Sequence, residues 1–284
     1  MNAFHTFWSR PFRMAHPGQP LRVADYDLFC TILSALEWRR TGGSIRLITD
    51  RMGDRYFRSY GLDFLWDGGI DCALDDVPYR VDPSTFWAGG KLYALRTMQA
   101  PCVMIDTDFI VWEDLSADLA HADLAVIHRE ELNPDIYPDP RTFVCAEGYR
   151  FPADWDFSQP ACNTALCYFG SEALRRDYVR EALTFMESAR GRHPLHYMVF
   201  AEQRLLALCA AQHGSDILSL SELPALFASQ SRFTHLWGYK QLLSSNPAER
   251  ERFCRRCAAR IASDFPDAVP RCRIHPLLRP YFPE

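Results

Sequence analysis

Along the first half of this chain, short apolar runs alternate with stretches in which apolar residues recur every three or four positions. Residues 3–8 (Ala-Phe-His-Thr-Phe-Trp) predict a first strand, ended by Ser9-Arg10-Pro11. Over residues 24–40, Leu28, Phe29, Ile32, Leu33 and Leu36 fall at helical spacing, and Thr41-Gly42-Gly43 provides the stop. Residues 44–49 read as a second strand ending at Asp50. Strand, helix, strand is the opening of a parallel sheet. A short helix is predicted over residues 51–60, closed by Gly61. Residues 63–74 are ambiguous, admitting a strand near residues 64–66 and a Gly68-Gly69 turn. Residues 86–98 predict a helix, interrupted early by Gly89-Gly90 and carrying Lys91 and Arg96.

The second half continues the alternation. Strands are predicted over residues 122–127, 162–169 and 217–220. Helices are predicted over residues 171–189, with Ser171 as N-cap, over 196–212, and over 247–263. Between residues 130 and 160 lie five prolines and no clear periodicity; irregular connections of that length are usually functional. The expected architecture is α/β, a mixed and mainly parallel sheet flanked by helices. Residues 1–245 are expected to form the main domain, and residues 246–284 a helical extension of that domain. Neither repeats nor low-complexity blocks interrupt it.

One stretch carries chemistry on its face. Cys102-Val103-Met104-Ile105 is a buried-strand pattern preceded by Pro101, and it runs straight into Asp106-Thr107-Asp108. Open α/β sheets bind ligands at the carboxyl ends of their strands. Two carboxylates delivered there repel one another unless something positive sits between them. A hard divalent cation, Mn²⁺ or Mg²⁺, is the expected partner, since both take oxygen ligands.

Bulk properties narrow the choice. The net charge of −5 offers no broad basic surface for duplex nucleic acid. The ten cysteines follow no disulfide framework, and the first 13 residues, interrupted by Arg10 and Arg13, do not read as a leader; a reducing cytoplasm is expected. No uncharged apolar stretch reaches the ~18 residues of a membrane span, which leaves peripheral membrane association open. Gly-x-Ser-x-Gly, His-Glu-x-x-His, Walker and Gly-x-Gly-x-x-Gly motifs are absent.

Further along, four pieces follow the Asp-x-Asp strand in order: Asn163-Thr164-Ala165, Glu202-Gln203, His235-Leu236-Trp237-Gly238, and Lys240. Together with Lys91 and the residues up to Leu115, this layout resembles the nucleotide-sugar site of GT-A-fold glycosyltransferases, in particular the glycogenin and bacterial lipopolysaccharide galactosyltransferase group. The likeness spans roughly residues 44–240 and lies in the ordered set rather than in any single piece. It implies that Asp106, Asp108 and His235 hold Mn²⁺ and that Thr107 lies beside them. Lys240, the Gly238 backbone and Lys91 would contact a nucleotide-diphosphate sugar, most naturally a UDP-sugar. Asn163, Glu202 and Gln203 would line the sugar end, with Gln203 beside the anomeric carbon. The chain departs from the group in three places: Lys240 is one residue nearer the glycine, Glu202 replaces Asp, and Ala165 stands where glycine is common. The resemblance implies glycosyl transfer with retention to a glycan, lipid-linked or other hydroxyl acceptor. An inverting enzyme would need a base, for which Glu202, Asp154 and Asp156 qualify.

Each residue also has a plain structural reading. His235 reads equally as a core histidine, and Glu202-Gln203 as a solvated pair. Trp237 is either core or a lid over the nucleotide, and Asp50 either contacts the base or ribose or caps the following helix. Cys254-x-x-Cys257 with Cys272-x-x-His275 approaches structural zinc spacing, but the first two cysteines also fall on one face of a helical pattern. Two other functions stay open, a sugar-nucleotide nucleotidyltransferase and a non-catalytic GT-A-like binding protein. The first normally has a glycine-rich basic loop after the first strand; here that place reads Ser9-Arg10-Pro11-Phe12-Arg13.

Overall fold

The structure, a computed structural model, describes residues 1–283. Its centre is a seven-stranded sheet built from β1 (Asn2–Phe7), β2 (Ser44–Thr49), β3 (Ile70–Asp71), β4 (Cys102–Ile105), β6 (Leu124–Val126), β9 (Leu166–Phe169) and β10 (Ile217–Ser219). The order is β10-β6-β9-β4-β1-β2-β3. Every pairing in it is parallel except those of β9, which runs antiparallel to both β4 and β6. Two small antiparallel ribbons stand beside this sheet: β5 (Phe109–Val111) with β11 (Phe233–His235), and β7 (Arg129–Glu130) with β8 (Ala161–Cys162).

Alternation along the strands divides the core in two. In β4, Val103 and Ile105 face one layer, with helices Asp25–Arg40, Arg51–Ser59 and Pro247–Asp264. Cys102 and Met104 face the other, with helices Gly90–Thr97, Glu172–Ser188 and Leu205–His213. Both faces of the sheet are therefore covered, as a mainly parallel sheet requires.

Several expected elements move. Residues 64 and 65 belong to a 3₁₀ turn, Asp63–Leu65, which Trp66 ends, and the strand follows it as β3. The glycines explain this: Gly68 N–H donates to Ile45 O at 2.9 Å, and Gly69 turns the chain at φ +82°. The helix expected from residue 86 begins at Gly90. A Cβ on Gly90 would lie 2.8 Å from Trp8 Cβ, so only glycine lets this helix start against the end of β1. The strand expected over residues 162–169 is two, β8 and β9. Asn163 Oδ1 accepts from Ala165 N–H at 3.2 Å, a local turn that hands the chain from β7 to β4 and β6. Ser171 caps the helix Glu172–Ser188, accepting from Leu174 N–H at 3.3 Å. The helix expected from residue 196 starts at Pro194 and widens into a π turn at Phe200–Arg204.

At the C-terminal end, Cys254 and Cys257 lie on the buried face of helix Pro247–Asp264. His275 has both ring nitrogens engaged: one is 3.0 Å from the Tyr56 hydroxyl, and Nδ1 accepts from Leu277 N–H at 3.2 Å. It packs as a core histidine against Tyr60.

Candidate functional site

The topology explains why distant residues meet. β1 and β4 are parallel neighbours, so Thr6, Trp8 and Asp106 arrive at one edge of the sheet. β9 runs the other way, so the residues that precede it, Asn163 to Ala165, lie at that same edge. Asp106 N–H donates to Ala165 O at 2.8 Å, fastening the two segments. Beyond Asp108 the chain leaves the main sheet as β5, and its register with β11 sets Phe109 opposite His235. Leu236 N–H then closes on Asp108 O at 3.1 Å.

A buried polar chain supports this ribbon. Ser34 Oγ donates to Phe109 O at 2.5 Å, and His5 Nε2 lies 3.0 Å from Ser34 Oγ. The Trp66 indole N–H donates to His5 Nδ1 at 3.3 Å. Because Nδ1 accepts, the ring proton sits on Nε2 and donates to Ser34. Burial lowers the His5 pKa to about 3, so the ring stays neutral.

At the edge of the sheet opens a cleft of about 390 Å³. Asp106, Asp108 and His235 present ligand atoms within 4.8 Å of one another, the one such trio among the described residues. On a common octahedral ion at about 2.1 Å, cis ligands are about 3.0 Å apart and a trans pair about 4.2 Å, so the trio must draw together by roughly 1–2 Å to share one ion. Two carboxylate oxygens and one imidazole nitrogen are a donor set for Mn²⁺ or Mg²⁺. Burial lowers the His235 pKa to about 4 despite the Asp108 charge, which keeps the ring neutral and able to ligate. Burial raises Asp106 against the pull of Lys91. For Asp108 the same burial is outweighed by Lys240 and His235, and its pKa falls below the usual carboxylate value. The trio therefore fits the ion that the resemblance implies.

Two lysines neutralise these carboxylates. Lys91 Nζ lies 2.7 Å from Asp106 Oδ1 and also bonds Glu202, which accepts from Thr164 Oγ1 at 2.7 Å. Lys240 Nζ lies 2.9 Å from Asp108 Oδ2 and 3.0 Å from Asp27 Oδ1. Burial opposes the charge of each lysine, but the paired carboxylates outweigh it and raise both pKa values.

Glu202 and Gln203 come from the π turn, a feature frequent at functional sites. Glu202 is buried beneath the cleft; it is not a solvated residue. Gln203 lines the cleft with its amide 2.5 Å from the Tyr137 hydroxyl, whose one proton goes to Glu130 at 2.6 Å. Glu130 accepts from the Asn163 amide at 3.0 Å. Arg204 bonds the carbonyls of Phe157 and Gln159, tying down the end of the proline-rich connection.

Thr107, Asn163 and Trp237 also line the cleft, with Trp237 68% exposed at its mouth, not buried in the core. Two expected residues do not line it. Asp50 caps helix Arg51–Ser59 by accepting from Gly53 N–H at 2.9 Å, and its other oxygen takes both the backbone and hydroxyl protons of Ser9. Gly238 serves as the residue before helix Tyr239–Ser245. Sequence reasoning missed Asp27, Glu130, Tyr137, Thr6 and Trp8. The last two leave a buried hydroxyl and a buried indole N–H without partners, and both residues line the cleft. Buried donors of this kind call for a ligand or water.

The model of a family of unknown function, DUF6734, matches residues 1–273. The chain belongs to DUF6734. The matched span carries every residue of the cleft described above. No curated protein matches the chain. Among solved structures, the WbbM bifunctional glycosyltransferase is similar at 11% identity and a TM-score of 0.43, over 78% of this chain and 38% of that one. Mouse xyloside xylosyltransferase 1 is similar at 11% identity and 0.39, over 78% of this chain and 85% of that one. The galactosyltransferase LgtC, bound to donor and acceptor sugar analogues, is similar at 13% identity and 0.39, over 77% and 73%. Likeness at these scores assigns no function to this chain.

Proposed function

We propose that this member of DUF6734 is a metal-dependent GT-A-type glycosyltransferase that takes a hexosyl group from a nucleotide-diphosphate sugar, most naturally a UDP-sugar. The observation that carries this reading is the convergence of Asp106, Asp108 and His235 in one cleft with Lys91, Lys240, Asn163 and Gln203. Asp106, Asp108 and His235 would hold Mn²⁺, or Mg²⁺, which when bound supplies Lewis acidity to the leaving diphosphate. Lys240, at the cleft wall, supplies positive charge for the same phosphates. The unpartnered Thr6 hydroxyl and Trp8 indole N–H offer the nucleotide two polar contacts, and Trp237 offers a closing face over it. Asp50 caps a helix and holds Ser9 outside the cleft lining, so the donor contacts proposed here do not include it. Gln203, held by Tyr137, would orient the sugar at the reacting carbon. Transfer with retention needs no protein base, because the departing phosphate takes the acceptor's hydroxyl proton.

The acceptor would be a glycan, lipid-linked or other hydroxyl reached past the connection at residues 130–160, as in polysaccharide assembly. Ten free thiols suit the cytoplasm. No helix among the described residues is long and apolar enough to cross a membrane.

The test is a thermal-shift panel of UDP-sugars with and without Mn²⁺. The expected result is stabilisation by a UDP-sugar only when the ion is present, lost in Asp106→Ala and Asp108→Ala. A parent protein indifferent to every nucleotide sugar overturns the reading.

A further inference from the structure

Each lysine of the cleft is shared. Lys91 lies between Asp106 and Glu202, and Lys240 between Asp108 and Asp27. In both cases one carboxylate belongs to the metal trio and the other does not. Asp27 stands on the first turn of helix Asp25–Arg40, and it does not line the cleft. Its Oδ1 is 3.0 Å from Lys240 Nζ, almost the same distance as Asp108 Oδ2 on the other side. The lysine thus has two anionic partners at nearly equal distance, the contact with Asp27 Oδ1 being an ion pair without hydrogen-bond geometry, and a cation on Asp108 competes with it for the other.

Resting on the proposed metal-dependent function, we infer that Asp27 is a positioning residue: it takes over Lys240 when a divalent cation claims Asp108. Without that second anchor, the ammonium group has only Asp108 as partner and must be displaced outright before the cation binds. With the anchor, Lys240 gives up one contact, keeps the other, and stays at the cleft wall where an anionic phosphate group needs it. No bond is made or broken covalently; one ion pair is exchanged for a metal–carboxylate contact. Asp27 thereby lowers the cost of admitting the metal while fixing where the lysine goes.

Titration of the whole chain with MnCl₂ in a calorimeter, without nucleotide, tests this through a double-mutant cycle. Asp27→Asn is expected to weaken Mn²⁺ binding about tenfold, because Lys240 then bears on Asp108 alone. Lys240→Met is expected to tighten it several-fold. In the Lys240→Met background, Asp27→Asn is expected to change binding by less than about twofold, since its effect runs through the lysine. Asp27→Glu keeps the charge and is expected to restore binding to near the parent value, which also guards against loss through misfolding. Equal weakening by Asp27→Asn in both backgrounds identifies a plain charge effect and overturns the inference, as does no weakening in either. A parent chain that binds no Mn²⁺ overturns the metal-site reading itself, a result distinct from a parent that binds but shows no coupling.

Discussion

The two halves of the cleft are built differently. Asp106 stands at the end of a central strand, and its lysine, 11% exposed, is sealed under the π turn by Glu202 and Thr164. His235 and Lys240 belong instead to a two-stranded ribbon and the short helix after it, with the Lys240 side chain 38% exposed. One half is held by the sheet and a desolvated ion pair. The other is held by a three-residue register, the Ser34–Phe109 bond and a lysine with a choice of partners. Under the proposed function, the first half would set where a cation sits, and the second would adjust to it.

The largest expected effect breaks the rigid half. Glu202→Ala leaves the ammonium of Lys91 with one buried partner in place of two and orphans the Thr164 hydroxyl. Removing one member of a buried charge cluster costs about 3–5 kcal/mol, so a loss of about 3 kcal/mol is expected in urea unfolding. Loss below about 1 kcal/mol, the scale of a surface pair, would dissolve the distinction between the halves.

Next comes His235→Ala. The ring packs edge-on against Phe109 at the cleft wall, so unfolding is expected to change by about 1 kcal/mol. Mn²⁺ affinity in calorimetry is expected to drop by about tenfold or more, since one of three protein ligands is gone. A stability loss as large as that of Glu202→Ala would show that the ribbon is as load-carrying as the sheet edge.

A third test, whose effect is smallest within the first pH unit below neutrality, sharpens the comparison by pH. Metal binding needs Asp106 ionised and His235 neutral. Burial pushes the Asp106 pKa up to about 7, whereas burial holds His235 down to about 4. A raised carboxylate pKa means that the ion-binding form is present above that value and is lost as pH falls through it. Mn²⁺ affinity is therefore expected to decline up to about tenfold per pH unit once pH drops below about 7, with His235 adding loss only far lower. Flat affinity down to about pH 5 would place the sensitivity in neither half as described.

Much of this was readable without coordinates, and the physical reason is locality. Strand and helix periodicity in residues 2–49 and 102–105 depends on the neighbours in sequence, and the elements form where that pattern lies. The Asp-x-Asp pair announces itself because two adjacent carboxylates after a buried run need a counter-charge. The split of residues 162–169 was not legible, since it depends on which strand the chain pairs with before and after Asn163. Nor was the π turn, which aims Glu202 inward and Gln203 outward, unlike the solvated pair of the plain structural reading.

By itself, then, the sequence determined the alternation that makes a mainly parallel sheet, the carboxylates at its edge, and the identity of a distant histidine and lysine able to join them. Only the tertiary structure decided that His235 does join, through the pairing of β11 with β5, and that Asp50 does not, being spent on a helix cap and Ser9. Asp27 and Glu130 entered the site's surroundings by the same route. Periodicity is a property of successive residues, whereas ion pairs and metal donors are set by the packing of segments far apart in the chain, as Asp27 and Lys240 are, which no local pattern records.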